Sequence, residues 1–399
     1  MPTVLLLESV HPVADGLLKA EGFTVQRIDG SPKEAELCER IKGVQYLGIR
    51  SKTQVTPKVL AAADSLQAVG AFCIGTNQVA LDEAQRRGVA VFNAPFSNTR
   101  SVAELVMAEV VVLSRHLCDR VMEMHQGEWR KVATGSHEVR GKTLGIVGYG
   151  HIGSQMGVLA EFFGMRVCFF DVAAKLPMSN NQSMPSLDAL LEASDFVTLH
   201  VPETSQTKSM IGAKQLKKMK KGACLINYSR GTVVDLEALA EALKSGHLGG
   251  AAVDVFPEEP ESNTASGFKT PLQGLKNVIL TPHVGGSTLE AQEAIGREVS
   301  AALSKFAKAG ATTGAVNFPM VELAPTPDTH RVVHVHRNVP GVLRDVNTIV
   351  SDLKANIQGQ MLSTTPEIGY LVMDMSSPVA NEVVGRLNAL DTTIRARAL

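Results

Sequence analysis

Three polar side chains stand out for the chemistry their types and spacing allow: Arg230 in Ile226-Asn-Tyr-Ser-Arg-Gly231, Glu259 in Asp254-Val-Phe-Pro-Glu-Glu-Pro260 and His283 in Thr281-Pro-His-Val-Gly-Gly286. Each follows a β-like apolar run, which puts all three at the carboxyl ends of strands, the edge where open α/β sheets bind ligands. A guanidinium can grip a carboxylate through a two-point fork and polarise the neighbouring carbonyl. An imidazole can take the proton of a hydroxyl and return it. A carboxylate bonded to that imidazole fixes its tautomer and favours its protonated form. Together they suit hydride transfer to or from the carbon of a 2-hydroxy acid. Singly, each has an ordinary alternative: Arg230 as a surface cation at a helix start, Glu259 as a solvated loop acid beside Glu258, His283 as a turn histidine.

Hydride chemistry needs a carrier, and Gly148-Tyr-Gly150-His-Ile-Gly153 stands where the run Thr143 to Val147 hands over to a helix-like stretch. Glycine there lets the backbone turn tightly and approach a pyrophosphate, whose charge meets the helix N-terminal amides. Asp171 closes the next strand, where an acid would bind the adenosine ribose hydroxyls, and Val172 rather than an arginine follows it. That combination predicts NAD and not NADP. The competing readings are a purely structural glycine turn and an ordinary turn acid.

These residues need sheets to hold them. From residue 1 to 97, the runs Val4 to Leu7, Thr24 to Ile28, Tyr46 to Ile49, Leu66 to Val69 and Val89 to Phe92 alternate with amphipathic stretches, predicting a parallel α/β sheet. Ser101-Val-Ala-Glu104 reads as a capping box opening a helix to Leu117, apolar on nearly every face and therefore buried between layers or subunits. A second α/β series runs from Thr143 to Leu280, and residues 286 to 309 read as one further helix. The Pro-rich stretch 319–329 reads as a linker. Beyond it, residues 331–399 give the βαββαβ order of a ferredoxin-like unit. About 70 residues is marginal for independent stability, so pairing with a second copy is expected.

Bulk composition excludes several classes. The 399 residues carry 39 basic against 40 acidic side chains, leaving no general field to hold nucleic acid or an anionic membrane. No membrane span or signal peptide is read, and five scattered cysteines without a CxxC pair argue against a disulfide framework and a zinc site, predicting a cytoplasmic protein without a metal. A length of 399 residues implies between two and three domains.

The motifs resemble those of the D-isomer-specific 2-hydroxyacid dehydrogenases, and within them the branch with a C-terminal ACT domain. Phe92-Asn-Ala-Pro-Phe-Ser-Asn-Thr-Arg-Ser-Val-Ala-Glu104, Gly148 to Gly153, Ser229-Arg-Gly-Thr-Val-Val-Asp235, Ala251-Ala-Val-Asp-Val-Phe-Pro257 and Thr281 to Thr288 carry the likeness. The resemblance implies Arg230 and Glu259 as catalytic residues and His283 as proton donor. It implies NAD contacts at Gly148, Gly150, His151, Ile152, Gly153, Asp171, His200, Tyr228, Ser229, Arg230, Asp254 (to the carboxamide), His283, Gly285 and Gly286. The implied substrate is 3-phosphoglycerate, oxidised to 3-phosphohydroxypyruvate at the start of L-serine synthesis and bound by Arg50, Ser51, Lys52, Asn98 and Arg100, with Lys131 a weaker candidate across subunits.

In the ACT-like tail, His336, Asn338 and Asn356 are implied to hold L-serine as an effector; otherwise Asn338 caps the helix near Pro340 and His336 ends an edge strand. The implied division is a substrate domain of 1–97 and 285–318, an NAD domain of 98–284, a linker of 319–329 and an ACT domain of 330–399. The implied assembly is a dimer through NAD domains and a tetramer through ACT domains. Three positions depart from the pattern: Tyr228 replaces a small residue, Asp328-Thr329 stand where a Gly-Gly hinge is usual, and Lys354-Ala355 replace a glycine-containing turn. Two other readings compete, a dehydrogenase of glycerate, glyoxylate or 2-hydroxyglutarate and a non-catalytic NADH-sensing protein.

Overall fold

The short apolar runs of the first hundred residues become parallel strands: β1 (Thr3–Leu6), β2 (Thr24–Arg27), β3 (Tyr46–Ile49), β4 (Ala68–Ala71) and β5 (Ala90–Phe92), in the order β2-β1-β3-β4-β5. Four of them fall within one residue of the runs. β4 begins two residues later than the run Leu66 to Val69, because its register with β3 starts at Tyr46 opposite Ala68. The computed structural model describes residues 1–260, 266–376 and 378–399, which divide into two compact units, Met1–Ser97 with Gln292–Leu399 and Asn98–Ala291.

In the first unit β1, β3, β4 and β5 are buried on both faces, as near-continuous apolar strands require, while the edge strand β2 is largely exposed. Leu5, Leu47, Val69 and Val91 pack on one side, while Val4, Leu6, Tyr46 and Phe92 meet Ile295, Val299, Leu303 and Phe306 of the helix Leu289–Ala309 on the other. The tail forms an antiparallel sheet of β13 (His330–Arg337), β14 (Ile357–Thr364), β15 (Ile368–Met375) and β16 (Thr393–Ala398), in the order β14-β15-β13-β16. Its helices, Val342–Asp352 and Ala380–Asn388, complete the βαββαβ pattern.

Every residue of β15 is buried, and the two-residue period explains how. Leu371, Met373 and Met375 pack on the helices with Val346, Val350, Val383 and Leu387. Ile368, Tyr370 and Val372 join Val333 and Val335 in the same cluster as Val4 and Phe306. The second face of this small sheet is thus covered by other parts of the same unit, including β1 and the helix Leu289–Ala309. The stretch expected as a linker contains no helix or strand, but it is tied down. The buried Arg331 guanidinium pairs with Asp374 (Nε to Oδ1 2.6 Å, Nη2 to Oδ2 2.7 Å) and donates to the carbonyls of Ala309, Leu323 and Ala324 at 2.9, 2.9 and 3.1 Å.

The second unit holds a parallel sheet of β6 (Thr143–Val147), β7 (Arg166–Phe170), β8 (Gln182–Ser183), β9 (Phe196–Leu199), β10 (Cys224–Asn227), β11 (Gly250–Val253) and β12 (Val278–Leu280), in the order β12-β11-β10-β9-β6-β7-β8. The two-residue edge strand β8 is too short to leave a periodic signal. The helix Thr99–Ser114 buries Val102, Val106, Met107, Val110 and Leu113 against this sheet's cluster. The capping-box reading is corrected here. The helix begins at Thr99 after Asn98, Ser101 Oγ bonds Thr288 Oγ1 at 2.7 Å, and Glu104 pairs with Arg100. The helix also stops at Ser114, and Leu117 opens the next helix, Leu117–His125. Among the described residues no helix is long and apolar enough to cross a membrane.

Candidate active site

At the end of β6 the three glycines meet three different constraints. Gly148 sits at φ +91°, and a Cβ on it would lie 2.3 Å from the His200 carbonyl oxygen. A Cβ on Gly153 would lie 2.2 Å from the Gly148 carbonyl oxygen, so this glycine lets the helix His151–Phe162 pack tightly on its own strand turn. Gly150 faces open space, with nothing within 4 Å of a built Cβ. A turn, an open approach and a close helix contact are what a pyrophosphate-binding loop needs, so the residues fit a dinucleotide. Asp171 is aimed at this loop: its Oδ2 accepts from Tyr149 N at 2.8 Å and its Oδ1 from Ala173 N at 2.9 Å, leaving lone pairs for ribose hydroxyls. His200 adjoins the Gly148 turn; Nε2 pairs with Thr198 Oγ1 at 3.0 Å, and Nδ1 is buried without a hydrogen-bond partner. Burial pushes its pKa down to about 3, so the imidazole is neutral.

The three catalytic candidates come together on the neighbouring strands. A Cβ on Gly231 would lie 2.0 Å from the Phe256 carbonyl carbon, so the turn after Arg230 is packed directly on the chain leading to Glu259. Glu259 Oε1 accepts from Phe256 N at 3.1 Å, and His283 Nδ1–H donates to Oε2 at 2.8 Å. That bond leaves Nε2 as the atom to work on a substrate. The Glu259 hydrogen bond raises the His283 pKa against the opposing effect of burial, and the charges of Glu259 and Asp254 add to the rise. Burial alone would raise Glu259, but the His283 bond and charge, the Phe256 amide and Arg230 outweigh it and lower its pKa. Arg230 acts electrostatically on both members and is half-buried, with Nη1 donating to Ser229 O at 2.7 Å. Asn227 fixes that loop, giving Nδ2–H to Arg230 O at 3.1 Å and accepting Ser229 N–H and Oγ–H on Oδ1 at 3.1 and 2.8 Å.

Asp254, expected only as a carboxamide contact, also holds the histidine turn. Its Oδ1 accepts Thr281 Oγ1–H at 2.6 Å and Val284 N–H at 2.8 Å, its Oδ2 accepts Gly285 N–H at 2.9 Å, and its carbonyl accepts His283 N–H at 2.8 Å. His283 stands in the left-handed region at φ +54°, a conformation that this web of bonds secures. Tyr228 packs under Gly285, whose Cβ would fall 2.8 Å from the ring. Asn98 packs against Gly286 in the same way, at 2.6 Å.

The proposed substrate residues divide between the units. Arg50, Ser51 and Lys52 follow β3 in the first, and Arg50 Nη2 donates to Gln292 Oε1 at 2.8 Å. The loop's backbone amides are taken by Glu8, whose carboxylate accepts from Arg50, Lys52 and Thr53 at 3.1, 3.0 and 2.8 Å. With those three amides taken, the side chains of Arg50, Ser51 and Lys52 are the groups expected to meet an anion. Asn98 and Arg100 lie in the second unit, where Arg100 is exposed and paired with Glu104; Lys131 is exposed.

In the tail, both ordinary readings of His336 and Asn338 fail. β13 lies inside its sheet between β15 and β16, so His336 does not end an edge strand. Its Nδ1 bonds Arg337 O at 2.8 Å, its Nε2 is buried without a partner, and burial lowers its pKa. Gly341 at φ +96° stands at the helix start, while Asn338 Nδ2–H donates to Thr365 O at 2.8 Å. Asn356 precedes β14, and its carbonyl accepts Ser376 N–H at 3.0 Å.

Known proteins match this arrangement end to end. The profile of the D-isomer specific 2-hydroxyacid dehydrogenase NAD-binding domain matches residues 107–285, and that of an AHAS small subunit-like ACT domain matches residues 332–395. D-3-phosphoglycerate dehydrogenase of Dictyostelium discoideum is 52% identical over 396 residues, covering 99% of this chain and 97% of the relative. The enzyme of the same name from Escherichia coli K12 is 50% identical over 398 residues, with 99% and 97% covered. Among solved structures, the NAD-complexed D-isomer specific 2-hydroxyacid dehydrogenase of Lactobacillus delbrueckii ssp. bulgaricus superposes with a TM-score of 0.69 at 25% identity, covering 79% of this chain and 100% of that one. Carrying an NAD-binding domain with these three strand-end residues, and half-identical to full-length relatives, the chain belongs to the D-isomer-specific 2-hydroxyacid dehydrogenase family.

Proposed function

We propose that this protein is an NAD-dependent dehydrogenase that oxidises 3-phospho-D-glycerate to 3-phosphohydroxypyruvate, the first step of L-serine biosynthesis. The observation that carries the reading is the 2.8 Å His283–Glu259 pair beside Arg230, on a sheet whose first turn fits a dinucleotide. Bound NAD supplies the hydride acceptor. Arg230 holds the substrate carboxylate and polarises the adjacent carbon–oxygen bond. In oxidation His283 Nε2 takes the hydroxyl proton, and the Glu259 carboxylate stabilises the imidazolium that results. In reduction the raised His283 pKa keeps the acid form available near neutral pH. The side chains of Arg50, Ser51 and Lys52 meet the substrate phosphate, with Asn98 and Arg100 as further candidates. Relatives named D-3-phosphoglycerate dehydrogenase at about half identity support the phosphorylated substrate over glyoxylate or 2-hydroxyglutarate.

L-Serine binds the ACT tail at His336, Asn338 and Asn356 and inhibits; the match of residues 332–395 to an ACT domain supports a ligand there. Residues 1–97 with 285–318 serve as the substrate domain, 98–284 as the NAD domain and 330–399 as the regulatory one. Assembly is a homo-oligomer, supported by the exposed apolar Val121, Met122, Met124 and Trp129 around the helix Leu117–His125. The test follows NADH absorbance with 3-phosphohydroxypyruvate, glyoxylate and 2-oxoglutarate, each with and without L-serine. Fastest turnover of the phosphorylated acid, slowed by serine, is expected. No turnover of any acid would leave an NADH-binding protein, and turnover indifferent to serine would remove the regulatory part.

A further inference from the structure

Glu109 lies in the middle of the helix Thr99–Ser114, 4% exposed among apolar neighbours, and the reaction as described has no use for it. Three oxygen–oxygen contacts lead from it to the His283 turn. Glu109 Oε1 lies 2.5 Å from Tyr228 Oη, Tyr228 Oη lies 3.2 Å from Thr281 Oγ1, and Thr281 Oγ1 lies 2.6 Å from Asp254 Oδ1. Asp254 in turn accepts the backbone N–H groups of Val284 and Gly285, on either side of which the catalytic turn closes.

Three contacts need three protons. Tyr228 and Thr281 bring one each, and the Asp254 carboxylate, which only accepts, brings none. If Glu109 were ionised, Tyr228 would donate to it and Thr281 to Asp254, and the contact between the two hydroxyls would have no proton. Charge would also rest on a carboxylate whose Oε2 is buried without a hydrogen-bond partner. With a proton on Glu109 Oε1, each contact holds one proton and all three point toward Asp254. The titratable groups facing Glu109 are Tyr228, Asp254 and, from the helix Leu117–His125, Cys118; none is a cation that would favour the carboxylate. Burial, with the nearby Asp254 charge, pushes the Glu109 pKa up to about 8 despite the Tyr228 hydrogen bond.

We propose that Glu109 is a positioning residue that works in its protonated form: the directed chain Glu109–Tyr228–Thr281–Asp254 sets the His283 turn, and ionisation of Glu109 breaks the chain and slackens the turn. Tyr228 is the link that makes the chain continuous. The inference rests on His283 being the acid–base residue; the proton on Glu109 does not depend on that.

Two readouts independent of turnover come first. Infrared spectra of the whole protein should show a protonated-carboxyl band at pH 7 that is missing from Glu109→Gln and fades as the pH passes about 8. NMR titration of His283 should give matching pKa values for wild type and Glu109→Gln, whose amide can donate to Tyr228, and a lower value for Glu109→Leu and Tyr228→Phe. In kinetics, Glu109→Leu should lower kcat about tenfold with little change in KM for NAD, as expected for lost positioning. Glu109→Gln should restore kcat and abolish the fall in oxidation rate at alkaline pH. Absence of the band, an unchanged His283 titration in both Glu109→Leu and Tyr228→Phe, or an alkaline fall retained by Glu109→Gln would each overturn the proposal. Failure of the wild type to turn over any 2-hydroxy acid would instead remove the proposed function, leaving the band and the titration to decide this one.

Discussion

The His283–Glu259 pair sets the direction of the pH dependence. Glu259 raises the His283 pKa, so the imidazolium, the acid for reduction, persists to higher pH than an unpaired histidine allows, while oxidation gains its neutral base only above that raised value. Replacing Glu259 by Gln removes the charge while leaving burial to act in the opposite direction. Reductive kcat should then fall away at lower pH than in the wild type, the acidic limb of oxidation should move to lower pH, and kcat should drop by at least about tenfold. Unmoved limbs in a pH-rate series would mean that Glu259 does not act through His283. At this scale the sequence is legible where a residue stands in a motif at a strand end, as at Arg230, Glu259 and His283, which the structure brings together. Glu8 and Glu109 were not legible, for physical reasons. Glu8 acts on amides more than forty residues away, and Glu109 is a buried acid among the apolar residues of its helix, where its partners become visible only when β10 folds beneath it.

Among the elements, the turn after β6 makes the sharpest prediction because its glycines answer to different constraints. Gly150→Ala meets no protein atom within 4 Å, so the melting temperature should hold while NADH affinity falls about tenfold, the methyl standing where the pyrophosphate approaches. Gly153→Ala and Gly148→Ala should lose stability as well as affinity, the first against a carbonyl at 2.2 Å and the second at φ +91°. Calorimetry and NADH titration on the three variants separate the two effects; a Gly150→Ala protein that binds NADH like the wild type would contradict the cofactor assignment. Strand positions such as β3 and β6 coincide with their apolar runs because β3 is buried throughout and β6 from Leu144 to Val147. The capping box failed for a different reason. Ser101 and Glu104 had other partners in Thr288 and Arg100, and local spacing carries no information about a residue from the far end of the unit.

For the molecule as a whole, the ACT-type tail is fastened more firmly than its sequence implies. Pro-rich text at 319–329 reads as a linker, yet Arg331 binds it through the Leu323 and Ala324 carbonyls while pairing with Asp374, 8% and 1% exposed at the side chains. Removing one partner of such a pair leaves a buried uncompensated charge, so Asp374→Asn should cost about 3–5 kcal/mol in unfolding experiments. A loss within experimental error would mean that the clamp is not formed. The two-unit organisation was partly legible, since alternating strands mark both parallel sheets, but the second face of β15 is covered by residues distant in sequence. In the proposed reaction His283 carries the proton in NAD-dependent reduction of 3-phosphohydroxypyruvate. His283→Asn tests it without straining the backbone, because asparagine tolerates the φ of +54° found there. With NADH binding and turnover measured side by side, the variant should bind NADH within about threefold of wild type while kcat falls about a thousandfold. A variant that keeps its turnover, or one that loses NADH binding, would contradict the account.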